Sequence, residues 1–137
     1  MWIGPGPDLP NLEHWGSHGL TSSFLQRVAC ECDVFVAMGT SDANATSVLE
    51  SMASGFPVAC TPQSGYHGAP SIIELSTWDM VHNVEVLRRL QAMPSAELAA
   101  LGNDGRELAR TRYSWDRFET RLKHVVRNIL DGKEECG

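Results

Sequence analysis

The chain has 137 residues, of which 42% are hydrophobic and 20% charged, with eleven Lys and Arg against seventeen Asp and Glu for a net charge of −6. That length is one domain's worth, and the composition is that of an ordinary globular protein rather than a disordered or fibrous one. The acidic balance argues against a domain built to hold bare nucleic acid, which needs a basic face to neutralise phosphates.

Trp2–Gly4 reads as a short strand closed by Gly-Pro-Gly-Pro, and Asn11–Trp15 as a second short strand. Thr21 offers a helix N-cap, followed by Phe24, Leu25, Val28, Ala29 and Cys32 at the spacing of one apolar stripe. Val34–Met38 is apolar at every position, the pattern of a strand covered on both faces, as in a parallel sheet. A polar loop, Thr40–Asn44, leads to a helix from Ala45 to Ser54, with Gly55 placed to stop it. Phe56-Pro57 opens a second buried strand, Val58–Thr61. Strand, helix and strand with short connections predict two parallel strands joined by a right-handed crossover. Pro62–Pro70 reads as a surface loop, and Ser71–Leu75 as a short helix or strand.

The last third reads as helical. Val81, Val84, Leu87, Leu90 and Gln91 suggest one helix, and Ser95 caps another carrying Leu98, Leu101 and Leu108, which Gly102 and Gly105 weaken. Ser114 caps the last, with Asp116 in its first turn. Phe118, Leu122, Val125, Val126, Ile129 and Leu130 line one side of that helix, and 131–137 reads as a frayed tail. The fold class expected from this order is α/β, a parallel sheet flanked by helices. No segment has the character of a membrane span or of a secretory leader, so a cytoplasmic protein is expected. Its four cysteines, at 30, 32, 60 and 136, are then reduced thiols. Cys30 and Cys32 diverge by about 200° on a helix and should not pair.

In an open parallel sheet, ligands bind outside the carboxyl ends of the strands. Two loops leave such ends, Gly39–Asn44 and Pro62–Pro70, and the helix beginning near Ala45 aims its unpaired N–H groups at the same crevice. Asp42 and Glu50 are eight residues apart, about 80° and some 12 Å along a helix axis. They straddle the place where a phosphate would rest. Carboxylates repel phosphate but accept hydrogen bonds well from vicinal hydroxyls, so the combination describes a nucleotide-sugar site. Asp42 as an ordinary turn residue is the alternative.

Cys32-Asp33-Val34-Phe35-Val36, followed by Asp42-x7-Glu50-Ser51-Met52-Ala53-Ser54-Gly55-Phe56-Pro57-Val58, resembles the carboxy-terminal domain of retaining GT-B glycosyltransferases of the group one family. Gly105-Arg106 and Tyr113-Ser114-Trp115 look like two further segments of that family. The resemblance covers roughly residues 2–130 and implies a Rossmann-like, partial donor-binding domain over 1–130 with a helical last third. It implies donor-ribose contact by Glu50 and contact of Asp42 with hydroxyls of the transferred sugar. Asp42 stands where the family has Glu, and reaches about 1.5 Å less far. Asn44, with Ala43 and Ala45, falls where backbone amides meet the phosphate and sugar. Thr46 and Ser47 fall at the helix start beside the diphosphate, and Gly65 at the rim, where the family often has a Gly pair.

The reaction implied is metal-independent sugar transfer with retention from a nucleotide-diphosphate sugar, with no cofactor and with electrostatic stabilisation of the departing diphosphate. The family's basic phosphate-binding loop and its amino-terminal acceptor domain have no counterpart in these residues. The expected partner is therefore that other half, in the same polypeptide or a separate chain, and the fragment alone is expected to be inactive. Glycan biosynthesis in the cytoplasm, or at the inner face of a membrane, fits such an enzyme. Two other readings are a sugar-nucleotide epimerase of the same GT-B architecture and a non-catalytic binding or assembly subunit. An apolar sheet edge or the terminal helix, left uncovered, would favour a homodimer.

Of the remaining polar residues, His67 in the second loop is a candidate donor contact or plain loop polarity. His14 and His18 read as loop histidines rather than a metal pair. Cys60 reads as a small buried hydrophobe, and Trp115 as a packing residue at a helix entry.

Overall fold

A computed structural model describes residues 7, 8, 10–16, 22–42 and 45–131. The chain forms two compact units, Met1–Asp33 and Val34–Gly137. The expected strand at 2–4, the Thr21 cap, His18, Asn44, Cys136 and the tail beyond 131 lie outside the described residues.

The first unit holds helix α1, Ser22–Glu31. Ahead of it, the expected strand at 11–15 is reduced to isolated bridge positions at Leu12 and His14. Asn11 has a φ of 62° and Gly16 one of 68°, and left-handed residues at both ends leave no room for an extended run. Trp15 meets Phe24 of α1 edge-on at 6.1 Å, and the Arg27 guanidinium lies 4.1 Å from its ring centre. Of the expected apolar stripe, Phe24 thus joins a small aromatic cluster, while Ala29 is exposed.

The second unit is an α/β layer structure. A sheet of three parallel strands, β1 (Phe35–Ala37), β2 (Val58–Cys60) and β3 (Ile72–Glu74), lies in the order β1-β2-β3. Phe35 is in register with Val58, and Val58 with Ile72. Helix α2 (Thr46–Ser54) connects β1 to β2, and α3 (Met80–Gln91), α4 (Ser95–Arg112) and α5 (Trp115–Leu130) follow.

Strand β2 is buried throughout, as its unbroken apolar sequence predicts. Val58 and Cys60 face one side, packing with Val48 and Met52 of α2, Tyr66, and Ala109 of α4. Ala59 faces the other, with Leu75 and with Val86 and Leu90 of α3. Cys60 is thus a core residue, and its burial pushes the thiol pKa up. Strand β1 is covered less fully than its composition suggests. Phe35 and Ala37 pack on the α2 side, but Val36 is 40% exposed, because the α3-side cluster takes only Val34 from this edge. Ser71–Leu75 resolves as β3 and its flanks, and the loop before it is not a surface loop throughout. Ser64, Tyr66 and Ala69 are buried in it.

Helix ends follow local chemistry. Gly55 at φ 86° closes α2, with the Gly55 N–H on Met52 O (2.9 Å) and the Phe56 N–H on Ser51 O (3.0 Å). Arg106 of α4 donates to the Ala53 and Ser54 carbonyls at that end, so the Gly105-Arg106 pair is a structural device here. Ser114 caps α5 through the Arg117 N–H. Pro94, not Ser95, is the N-cap of α4.

Two expected stripes differ from what is buried. In α3 the inward residues are Asn83, Val86 and Leu90, whereas Val81 and Val84 are exposed. The Asn83 amide turns that face inward by bonding the Ser76 backbone. The apolar stripe of α5 exists as expected but nothing covers it: no α5 residue is buried, and Trp115 is 82% exposed, edge-on to Phe118 at 5.6 Å. Among the described residues no helix is long and apolar enough to cross a membrane.

Candidate functional site

The two loops leaving the carboxyl ends of β1 and β2 are fastened to each other. The Thr61 N–H donates to Ala37 O (3.2 Å), and its hydroxyl to Gly39 O (2.5 Å). The Asp42 N–H donates to Gln63 O (3.1 Å) and that of Ala45 to Ser64 O (3.3 Å). Pro62–Ser64 forms a 3₁₀ turn closed by Gly65 at φ 88°, whose N–H returns to Pro62 O (3.1 Å). Gly65 is therefore required for the turn itself, since a side chain there would be strained.

Tyr66 completes this fastening. Its buried hydroxyl donates to Ala45 O (3.1 Å), and its ring meets Tyr113 edge-on at 5.5 Å. Burial pushes its pKa up to about 12, with Tyr113 and the Asp42 carboxylate adding to the shift. The phenol stays neutral and holds its hydrogen bond at any ordinary pH. The sequence marked Pro62–Pro70 as loop, and Tyr66 was legible there only as an aromatic out of place in a Gly, Pro and Ser run.

Helix α2 thus starts from a fixed point. Ala45 is its N-cap, and no side chain caps it. The Ala45 N–H is spent on Ser64, and among the described residues those of Thr46 and Ser47 have no partner, on exposed residues at the positive end of the helix. Thr46 and Glu50 are one helical turn apart on the same face, and Glu50 is exposed. Asp42 is exposed on the loop ahead, beside Tyr66. The fastened loops therefore bring the Gly65 turn to the start of α2, with Asp42 before that start and Glu50 in its second turn. Asn44 lies outside the described residues, and His67 pairs with Glu74 (Nδ1 to Oε2, 2.6 Å).

A cavity of about 380 Å³ opens one strand further along, at the carboxyl ends of β2 and β3. Gln63, Glu74, Ser76, Thr77, Trp78 and His82 contribute to its lining, and none of Asp42, Thr46, Ser47, Glu50 or Gly65 does. This cavity and the site expected from the sequence are neighbours, not one place. Among the described residues no group of three or more His, Cys, Asp or Glu side chains could hold a metal ion. His14 is paired with Asp8 at 2.9 Å.

Comparison with protein-family models, with curated proteins and with solved structures finds no match to this chain. Any functional reading therefore stands on the residues and their arrangement.

Proposed function

We propose that this chain is the donor-binding part of a GT-B-type retaining glycosyltransferase, a Rossmann-like carboxy-terminal domain taking a nucleotide-diphosphate sugar. The observation that carries the reading is the start of α2. Its Thr46 and Ser47 amides have no capping partner among the described residues, are held at the carboxyl ends of two parallel strands, and are flanked by the exposed carboxylates of Asp42 and Glu50. In this reading the amides take the diphosphate and Glu50 the ribose hydroxyls. Asp42 and Asn44 meet the transferred sugar, and Gly65 lies at the rim. A second GT-B half supplies the acceptor site and the basic groups that neutralise the leaving diphosphate. The transfer needs no metal or cofactor and takes place in the cytoplasm, as a step of glycan synthesis.

Calorimetric titration with uridine and guanosine diphosphates tests it. A dissociation constant near millimolar, about 4 kcal/mol of binding, is expected for one of them, and Glu50→Ala should weaken it about tenfold. Equal binding by Glu50→Ala refutes the ribose assignment. No binding of either nucleotide refutes the reading.

A further inference from the structure

The cavity beyond β2 and β3 has a construction of its own. Its loop, Ser76–Asp79, is locked from within. Buried Asn83 accepts from the Ser76 N–H and donates to the Ser76 carbonyl, both at 2.7 Å. The Ser76 hydroxyl accepts from the N–H groups of Trp78 (3.2 Å) and Asp79 (3.0 Å). Asp79 then caps α3 through the His82 N–H at 2.9 Å. The Thr77 hydroxyl is bonded to the Gln63 side chain, tying this loop to the one after β2.

On this rigid loop stands Trp78, which lines the cavity while 89% of its surface is exposed. A large apolar ring left in water on a backbone held by several hydrogen bonds is a platform largely formed before any ligand arrives. Around it the groups are polar. Glu74 gives Oε2 to His67 and keeps Oε1 without a protein partner among the described residues. His82 Nε2 lies 3.4 Å from the Glu74 carbonyl, a geometry that favours the tautomer with the proton on Nε2 and Nδ1 free to accept.

We propose that this cavity binds a pyranose ring, whose C–H face stacks on Trp78 and whose hydroxyls donate to Glu74 Oε1 and His82 Nδ1. The face of an indole carries negative charge and attracts the polarised C–H bonds of a sugar. A carboxylate in a net-acidic molecule rejects anions, and its pairing with His67 weakens its draw for cations. A neutral ring rich in hydroxyl donors is what remains. The inference uses none of the residues assigned to the nucleotide-sugar donor and stands whether or not that assignment holds.

Saturation-transfer NMR on the 137-residue protein tests it, with the methyl glycosides of glucose, galactose, mannose and N-acetylglucosamine at about 20 mM, a concentration suited to millimolar binding. Transfer to at least one glycoside is expected. It should be lost in Trp78→Ala and weakened about tenfold in Glu74→Gln, and kept in Trp115→Ala, which removes another exposed indole. Trp78 makes no core contact, so its variant should keep the parent's circular dichroism. The proposal is overturned if no glycoside receives transfer or if Trp78→Ala binds like the parent. It is also overturned if uridine or guanosine, and no glycoside, binds in a Trp78-dependent way.

Discussion

Gly102 of α4 lies directly against the carbonyl of Gly55, so close that a Cβ added at 102 would overlap the Gly55 oxygen and reach Pro57 Cδ at 3.4 Å. Here α4 meets the end of α2 with backbone against backbone. Three residues on, a Cβ at Gly105 would meet Met52 Cγ at an ordinary 3.5 Å.

The two glycines should therefore respond in opposite ways. Gly102→Ala is expected to lower stability by about 2–3 kcal/mol, because neither carbonyl nor helix can yield cheaply. Gly105→Ala should be neutral or stabilise by up to about 1 kcal/mol, since the helix gains a better former without a clash. Urea unfolding of the two variants beside the parent measures both, and equal losses would show that helix contact is not what Gly102 serves.

Tyr66 predicts an alkaline limit. Its pKa is about 12 in the folded chain against 10.0 for the free group, so the neutral phenol favours the folded state. That contribution is whole below pH 10 and is lost as pH rises from 10 to 12. It amounts to on the order of 2 kcal/mol. Thermal unfolding across this window should fall more steeply for the parent than for Tyr66→Phe. Tyr66→Phe itself should cost about 1 kcal/mol at pH 7 for the bond to Ala45. Parallel pH curves for the two proteins would refute the assignment.

Helix α5 predicts association. Trp115, Phe118, Leu122, Val125 and Ile129 repeat at intervals of three and four, the spacing of a helix-pairing seam, and each is half or more exposed. The 137-residue protein should form a homodimer through this stripe in dilute solution. Leu122→Glu combined with Ile129→Glu should return it to a monomer without loss of helix signal. A parent that light scattering finds monodisperse at 15.0 kDa defeats the prediction.

The proposed function predicts that this protein alone transfers no sugar, because the acceptor site and the groups that neutralise diphosphate belong to the other half. Incubation with nucleotide sugars and an acceptor mixture should yield at most slow donor hydrolysis. Acceptor-dependent product would mean that these residues build a whole active site.

What the sequence disclosed was local or periodic. Val58-Ala59-Cys60 announced a buried strand because no polar residue interrupts it, Gly55 announced a helix stop, and Ser114 announced a cap. What stayed hidden depends on partners distant along the chain. Gly102 and Gly105 read as weak points of a helix until Gly55 and Met52, some fifty residues away, are brought against them. Val81 and Val84 completed a plausible stripe, but the bonds of Asn83 to Ser76 choose a different face. At the candidate site, Asp42 and Glu50 were legible from spacing and resemblance. The fastening by Thr61, Ser64 and Tyr66 was not, since each bond joins loops from two different strands. Trp78 carried no periodic signal at all, and its place on a locked loop emerges only with the fold.

The strand order gives the molecule a graded resistance to opening. Among the described strands, β2 alone has a hydrogen-bonded neighbour on each side, and it alone is buried along its whole length. The outer strands can fray singly, whereas solvent reaches the β2 amides only when both core clusters come apart. In deuterated water, Ala59 and Cys60 should be the last amides to exchange, at a rate set by global unfolding. Those of α5, which shares no core, should be gone long before.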